Sequence, residues 1–448
     1  DLKNHYEKFP LIIAEYGVPS SWGIAHYATS GMNHGGFDEL LQGETNLRML
    51  HTIKESGAGG GIQFSWMDEW FKRTWITDPI DFQNRHLWHN ITAAEQNFGL
   101  IKFSKKEEYT PIQISSVADE ISNVKAFANY DYFQVEIGLK TPMDLLGECW
   151  IGFDTYDATL GESILPNGVQ LPVRSEFALH ITPHSAQLYV TEAYDLFGIY
   201  HKITTDKQLF RSIATDGAPW KLVRWKNNNF DEDVQYIGNL KVNRSFQPSS
   251  SKDAITIFDN KIQLKIPWTL LQIVDPSQKQ VFHCDDKNID EKGTRSSDGI
   301  MLSMLYKDAI YTTDSRLVWD DWTKIEDSDV IEEFKTSYWT MYDNLKKFNT
   351  PAIAFPDSFN LSGGKSSYFI SSSEGLLSND MDIDGKYMSA VLMNEPKYGA
   401  LQLNFDGSFT YFPRRGFEGI ETFHYSVFDG QSLSHPNKVT LRINAGEV

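Results

Sequence analysis

Apolar residues first gather at 10–16, PLIIAEY, between Pro10 and Gly17. A short continuous apolar run of this kind predicts a parallel strand buried on both faces. Over 37–56, Leu40, Leu41, Leu47, Leu50 and Ile53 recur at helical spacing, and Gly57 supplies a stop. The glycine-rich GAGGGIQFSW then leads into a second buried strand near 61–66. Strand, helix, strand is the order of a βαβ unit, whose strands need neighbours on both sides. About two such units fit before residue 100, whereas a barrel needs eight. The remaining units are therefore expected outside this sequence.

Beyond the charged stretch Lys105–Glu108 and Pro111 the pattern changes to short alternating segments, among them FQVEIGL, ECWIGFDTY, FALHIT, KIQLKIPW and GIMLSMLY. Turn residues separate them, which predicts an antiparallel sandwich. In the last hundred residues ALQLNFDGSFTYF sets Asp406-Gly407 between two alternating runs, a strong hairpin signal. ETFHYSVFDG and KVTLRIN add further strands. The expected fold is thus multidomain: a partial (β/α)8 barrel holding the last βα units, followed by two all-β sandwich domains. The expected boundaries are 1–105, 106–348 and 349–448.

Composition narrows the function classes. The 448 residues carry a net charge of −19, which argues against nucleic acid and anionic membrane surfaces, both of which demand basic footprints. No apolar run approaches the ~20 residues that span a bilayer. With 12 Trp, 20 Tyr and 28 Phe the chain is rich in aromatic rings. Most belong in β cores, and the rest are candidates to stack on sugars. Cys149 and Cys284 are the two cysteines; one bridge and two buried thiols are both open.

Residues 9–99, through LIIAEYG (11–17) and GGIQFSWMDEWFKRTW (60–75), resemble the last two units of retaining glycoside hydrolases with (β/α)8 barrels. The resemblance implies that Glu15 is the nucleophile and that Trp66 floors a sugar subsite. Tyr16, Trp22, His26 and Glu69 are expected to line the same cleft, with His34 and Asp68 nearby. A retaining enzyme also needs an acid/base carboxyl ~5–5.5 Å from the nucleophile. In that clan it sits on strand four, which is absent here. Glu69 and Asp68 serve equally well as partners for Lys72 or Arg73.

Residues 112–345 resemble family-nine carbohydrate-binding modules and DOMON-like sandwiches, through ECWIGFDTYDATLGES (148–163) and KIQLKIPWTLLQIVDP (261–276). Such modules hold a sugar between tryptophans. Trp150 and Trp268 lie in apolar strands and are expected in the core, whereas Trp220 and Trp225 have polar neighbours and are expected to bind sugar. Residues 354–445 resemble bacterial cadherin-like and immunoglobulin-like repeats, through NDMDIDG (379–385), GALQLN (399–404), DGSFTYF (406–412) and FHYSVFDG (423–430). Asp380, Asp382 and Asp384 also begin like an EF-hand, but position 12 is Val391 instead of the bidentate Glu that loop needs. A structural Ca²⁺ held by the three carboxylates and a solvated acidic turn are both open, and no other cofactor is expected.

These features together suggest part of a secreted or surface-exposed bacterial carbohydrate-active protein whose partners are a polysaccharide and the rest of the barrel. A non-catalytic surface or adhesion protein with a degenerate barrel is the competing expectation.

Overall fold

In the computed structural model, Ile12–Tyr16 (β1) and Gly60–Gln63 (β2) pair in parallel, with the helix Glu39–Glu55 (α1) between them in sequence. The structure describes residues 5, 9–28, 30, 33–74, 87–106, 108–114, 120–144, 147–200, 210–226, 234–244, 249–284, 293–326, 328–345, 349–383 and 387–444. The chain divides into two units, Asp1–Met341 and Tyr342–Val448.

Asp38 caps α1, its carboxylate accepting from Leu41 N at 2.9 Å. The helix does not bury the apolar stripe that its sequence displays. Leu40 and Leu41 are exposed, while Gln42, Gly43, Thr45 and Asn46 face inward with Leu47. Gln42 Nε2 donates to Val18 O at 3.0 Å, and Asn46 Oδ1 accepts from Val18 N at 3.0 Å. Helix α1 therefore holds the chain after β1 by hydrogen bonds to its backbone, since buried peptide groups require partners.

The partial (β/α)8 barrel is overturned. Among the described residues β1 and β2 form an isolated two-stranded sheet, and antiparallel strands make up most of the molecule. The apolar run of β1 is not buried on both faces: Ile12 is 59% exposed and Ile62 of β2 is 60% exposed. Continuous hydrophobicity was the argument for a barrel interior, and the exposed faces of these strands remove it.

Two further strands, Ile101–Lys105 (β3) and Val330–Phe334 (β16), pair antiparallel. Between them lies a 12-stranded sheet. Its strands in chain order are Thr110–Ile112 (β4), Ile121–Ala128 (β5), Tyr132–Leu139 (β6), Cys149–Asp154 (β7), Phe177–Ile181 (β8) and Ala186–Thr191 (β9). They continue as Trp220–Leu222 (β10), Asn239–Arg244 (β11), Asp253–Phe258 (β12), Lys261–Pro267 (β13), Met301–Tyr306 (β14) and Ala309–Thr312 (β15). The spatial order is β15-β14-β7-β8-β9-β11-β12-β13-β6-β5-β4, with β10 branching from β9. Only β11 and β12 run parallel within it. Strands β6 and β7 are far apart in that order, yet Phe133 and Phe153 meet with ring centroids 6.4 Å apart. The sheet thus folds over on itself as a sandwich, and one core fills it, taking in Trp22 and Trp88 from the N-terminal segment. Cys149 and Cys284 are both buried, and no disulfide joins them. No helix among the described residues is long and apolar enough to cross a membrane. Helix Thr336–Leu345 (α2) runs across the boundary between the two units in sequence.

The second unit packs a four-stranded sheet against a three-stranded one. Its strands are Asp357–Ser362 (β17), Tyr368–Ile370 (β18), Ser389–Asn394 (β19), Gly399–Leu403 (β20), Phe409–Pro413 (β21), Gly419–Phe428 (β22) and Asn437–Asn444 (β23). The sheets run β17-β23-β22-β19 and β18-β21-β20. Strands β17 and β23 pair in parallel. The Asp406-Gly407 turn joins β20 to β21, with Gly407 at φ +80°.

Candidate functional site

The end of β1 separates its two candidate residues. Glu15 is exposed, whereas Tyr16 is buried and its carbonyl accepts from Phe64 N at 2.9 Å. Gly17 follows at φ +153°, and a side chain there would meet Phe64 O at 2.3 Å. Trp66, three residues beyond the end of β2 that pairs with Tyr16, is 53% exposed and belongs to another group of rings: Phe334 at 6.1 Å and Tyr338 at 6.1 Å. Glu69 is held by Lys72 at 3.0 Å. Beside it a largely apolar groove of about 700 Å³ is lined by Met67, Trp70, Phe71 and Phe103.

The loop after Gly17 turns inward. Trp22 is buried, its ring 6.0 Å from that of Tyr132. His26 is exposed and stacks on His34 at 5.7 Å, and His34 pairs with Glu95 at 2.9 Å. That hydrogen bond holds the Glu95 carboxyl below the ordinary range. Ile24 exchanges hydrogen bonds with the side chain of Gln235, at 2.8 and 2.7 Å. Gln235 in turn pairs with Trp225 in a two-residue ladder. Trp225 lies in the core. Trp220 is half-buried against Trp150, Leu165 and Leu171, and its Nε1 donates to Ile164 O at 2.8 Å. Trp22, His26 and Trp225 thus come from one neighbourhood, and Glu69 reaches it through Lys72, which lies 3.9 Å from the Glu95 that pairs with His34, while Glu15, Trp66 and Trp220 stand apart from it.

That neighbourhood borders a cleft of about 800 Å³. Ile24 and Tyr27 contribute one side, and β9, β11 and the turn before β11 contribute the other. Two rings stand open in it, Tyr27 at 53% and Tyr236 at 52% exposure. Gln187 and Asn239 line it together, with Gln187 Nε2 donating to Asn239 Oδ1 at 3.3 Å. Tyr189 OH donates to Gln187 Oε1 at 2.8 Å, which fixes the amide. His184, Lys241 and Lys252 are also on its wall. Lys252 Nζ donates to Gly36 O at 2.8 Å. Burial lowers the Lys252 ammonium to about 8, with Lys241 adding to the fall and Asp38 opposing it. Tyr27, Tyr236, Gln187, Asn239 and both lysines escaped sequence reasoning, because three distant segments supply them and no local spacing marks them.

In the second unit Asp380 faces inward. Its Oδ1 accepts from Phe355 N at 2.7 Å, and Tyr425 OH lies 2.8 Å from Oδ2. The same hydroxyl is 3.1 Å from Phe355 O and 3.0 Å from Leu376 O, and it also engages Asp357. One phenol hydrogen thus confronts several acceptors, and Asp357 Oδ2 is buried without a partner. Burial raises both carboxyls, Asp357 to about 7. Asp382 is half-buried and Asp384 lies outside the described residues. Among the described residues no three acidic, histidine or cysteine side chains gather as a metal site.

Some solved structures align with parts of this chain. A variant of the endo-fucoidan hydrolase MfFcnA4 from glycoside hydrolase family 107 is 12% identical over 42% of this chain and 21% of its own, with a TM-score of 0.17. The endo-fucoidan hydrolase MfFcnA9 of that family is 10% identical over 41% of this chain and 24% of its own, with a TM-score of 0.16. The CupB6 tip adhesin from Pseudomonas aeruginosa is 9% identical over 78% of this chain and 98% of its own, with a TM-score of 0.17. This chain spans about a quarter or less of those two hydrolases. No curated protein matches the chain in sequence. Residues 349–445, which hold the two β-sheets of the second unit, match the family model described as a bacterial cadherin-like domain.

Proposed function

We propose that the chain is a glycan-binding part of a secreted or surface-exposed bacterial protein, and that the cleft between the 24–27 segment and β9/β11 takes the glycan. The observation that carries this reading is the pair of open rings, Tyr27 and Tyr236, beside the fixed amide of Gln187. Tyrosine rings offer an apolar face to a pyranose and a hydroxyl at their tip, and convergent amides orient the sugar. The cadherin-like domain fits a surface or extracellular setting and serves as a spacer. Native gel electrophoresis of the chain through immobilised polysaccharides tests the reading. Retardation should disappear in Y27A/Y236A and persist in E15Q, since Glu15 lies outside the cleft. Retardation that survives the double substitution would place binding elsewhere.

Adhesion without catalysis is the form of this function that the cleft supports, because the polar groups around it are donors and amides suited to holding a ligand. In the spacer, the oxygens around Tyr425 fit a hard cation such as Ca²⁺. Asp357, Asp380 and the carbonyls of Phe355 and Leu376 would hold it, with water completing the shell. Its contribution would be structural.

A further inference from the structure

We infer that the glycan taken by this cleft is acidic, bearing carboxylate or sulfate groups. The inference rests on the glycan-binding reading above and narrows its ligand class. The charged residues that line the cleft are Lys241 and Lys252, with His184 beside them, and among the described residues no Asp or Glu lines it. This basic lining stands in a chain of net charge −19, so it does not follow from overall composition.

The chemistry of the lining favours acceptors in the ligand. An ammonium group carries three donors and no acceptor. Lys252 spends one donor on Gly36 O, which leaves two, and its side chain lines the cleft. Its acidic neighbour Asp38 is occupied elsewhere, taking Leu41 N at the helix cap and Ser250 Oγ at 2.8 Å. Lys241 pairs at 3.4 Å with Asp253, whose carboxylate also accepts from Ser250 N at 2.7 Å. Both carboxylates are thus shared with Ser250 and stand outside the lining, whereas the two lysines are part of it. Asn239 and Lys241 are two apart on β11 and share a face. One ligand can therefore meet an amide, which takes a hydroxyl, and an ammonium, which takes an anion. A neutral sugar would add no ionic partner for Lys252 and leave Lys241 with Asp253 alone. A carboxylate or sulfate would offset the cost of burying Lys252 and add a second partner for the exposed Lys241.

The test uses the full chain and titration calorimetry with matched polymers: polygalacturonate and its carboxyl-reduced form for the carboxylate arm, dextran sulfate and dextran for the sulfate arm. Binding should favour an acidic polymer over its neutral counterpart by about tenfold or more and weaken as salt rises. The arm that responds names the anion. K241Q, at an exposed position, should lower affinity for the acidic polymer by more than for the neutral one. Two results would overturn the inference: equal, salt-insensitive binding of neutral and acidic polymers that Y27A/Y236A abolishes, or acidic-polymer binding that K241Q and K241E leave intact. The first sinks the acidic class and spares the glycan cleft. Loss of every polysaccharide interaction from the unmodified chain would sink both.

Discussion

Lys335 Nζ lies 2.7 Å from Asp68 Oδ1, and both side chains are out of solvent. The ammonium also reaches Ser20 Oγ at 3.2 Å, while its backbone N–H donates to Leu100 O at 2.9 Å. Burial raises the Asp68 carboxyl to about 6, and Lys335 opposes that rise. One buried ion pair thereby ties the segment after β2, the loop after β1 and the residue before α2. Breaking such a pair from one side leaves an uncompensated charge at a cost of about 3–5 kcal/mol. K335M should therefore lower the urea midpoint of the first unit strongly, and D68N/K335M should recover part of the loss.

Gly43 reverses the usual expectation for a helical glycine. Replacement by Ala within a helix ordinarily stabilises by about 1 kcal/mol. Here a Cβ would stand 2.8 Å from Thr340 Cβ and 2.9 Å from Ser337 O, because α1 and α2 cross at this point. G43A should destabilise the chain, and thermal melts of the two proteins give the sign.

Glu176 is wholly buried between β7 and β8, and burial together with Asp154 pushes its carboxyl up to about 8. The group's ordinary value is about 4.3, so the folded state binds this proton more tightly than the unfolded one. Its contribution is full below the ordinary value and is lost as pH rises toward 8. Denaturant midpoints of the first unit should fall between pH 5 and pH 8 by more in the parent chain than in E176Q. An identical slope in both would remove Glu176 as the source.

The Tyr425 cluster predicts a response to calcium. Excess Ca²⁺ should slow amide exchange along β22, and EDTA should reverse it, because a ligand of the folded state stabilises by mass action. D357N should abolish the response. Exchange that ignores both Ca²⁺ and EDTA would leave the cluster a hydrogen-bonded one.

Sequence pattern and structure agree where a local signal decides the outcome. The Asp406-Gly407 hairpin, the α1 segment and the βαβ order of β1, α1 and β2 could all be read from spacing. The pattern failed where it had to report surroundings. PLIIAEY looks the same whether its strand has one neighbour or two, so the apolar run suggested a barrel that Ile12 and Ile62 show to be absent. Leu40 and Leu41 marked the wrong face of α1, because Gln42 and Asn46 are buried as hydrogen-bonding groups for a loop. Trp220 and Trp225 sit among polar residues in sequence, yet strand pairing carries both against apolar neighbours. The cleft was invisible for the opposite reason: Tyr27, Lys241 and Lys252 are ordinary residues until the fold brings their segments together.

The parallel pairing of β17 with β23 sets how the cadherin-like domain meets a mechanical load. The first and last strands of this domain run the same way, so the chain enters at one end of the sheet and leaves at the other. Six residues of each, from Asp357 opposite Val439 to Ser362 opposite Asn444, are in register. Tension drawn along the chain would act along these strands and load the whole ladder in shear at once, instead of peeling one hydrogen bond after another. A domain wired in this way transmits force across its length, which is the property a tether needs when its cargo is anchored and the surrounding fluid moves.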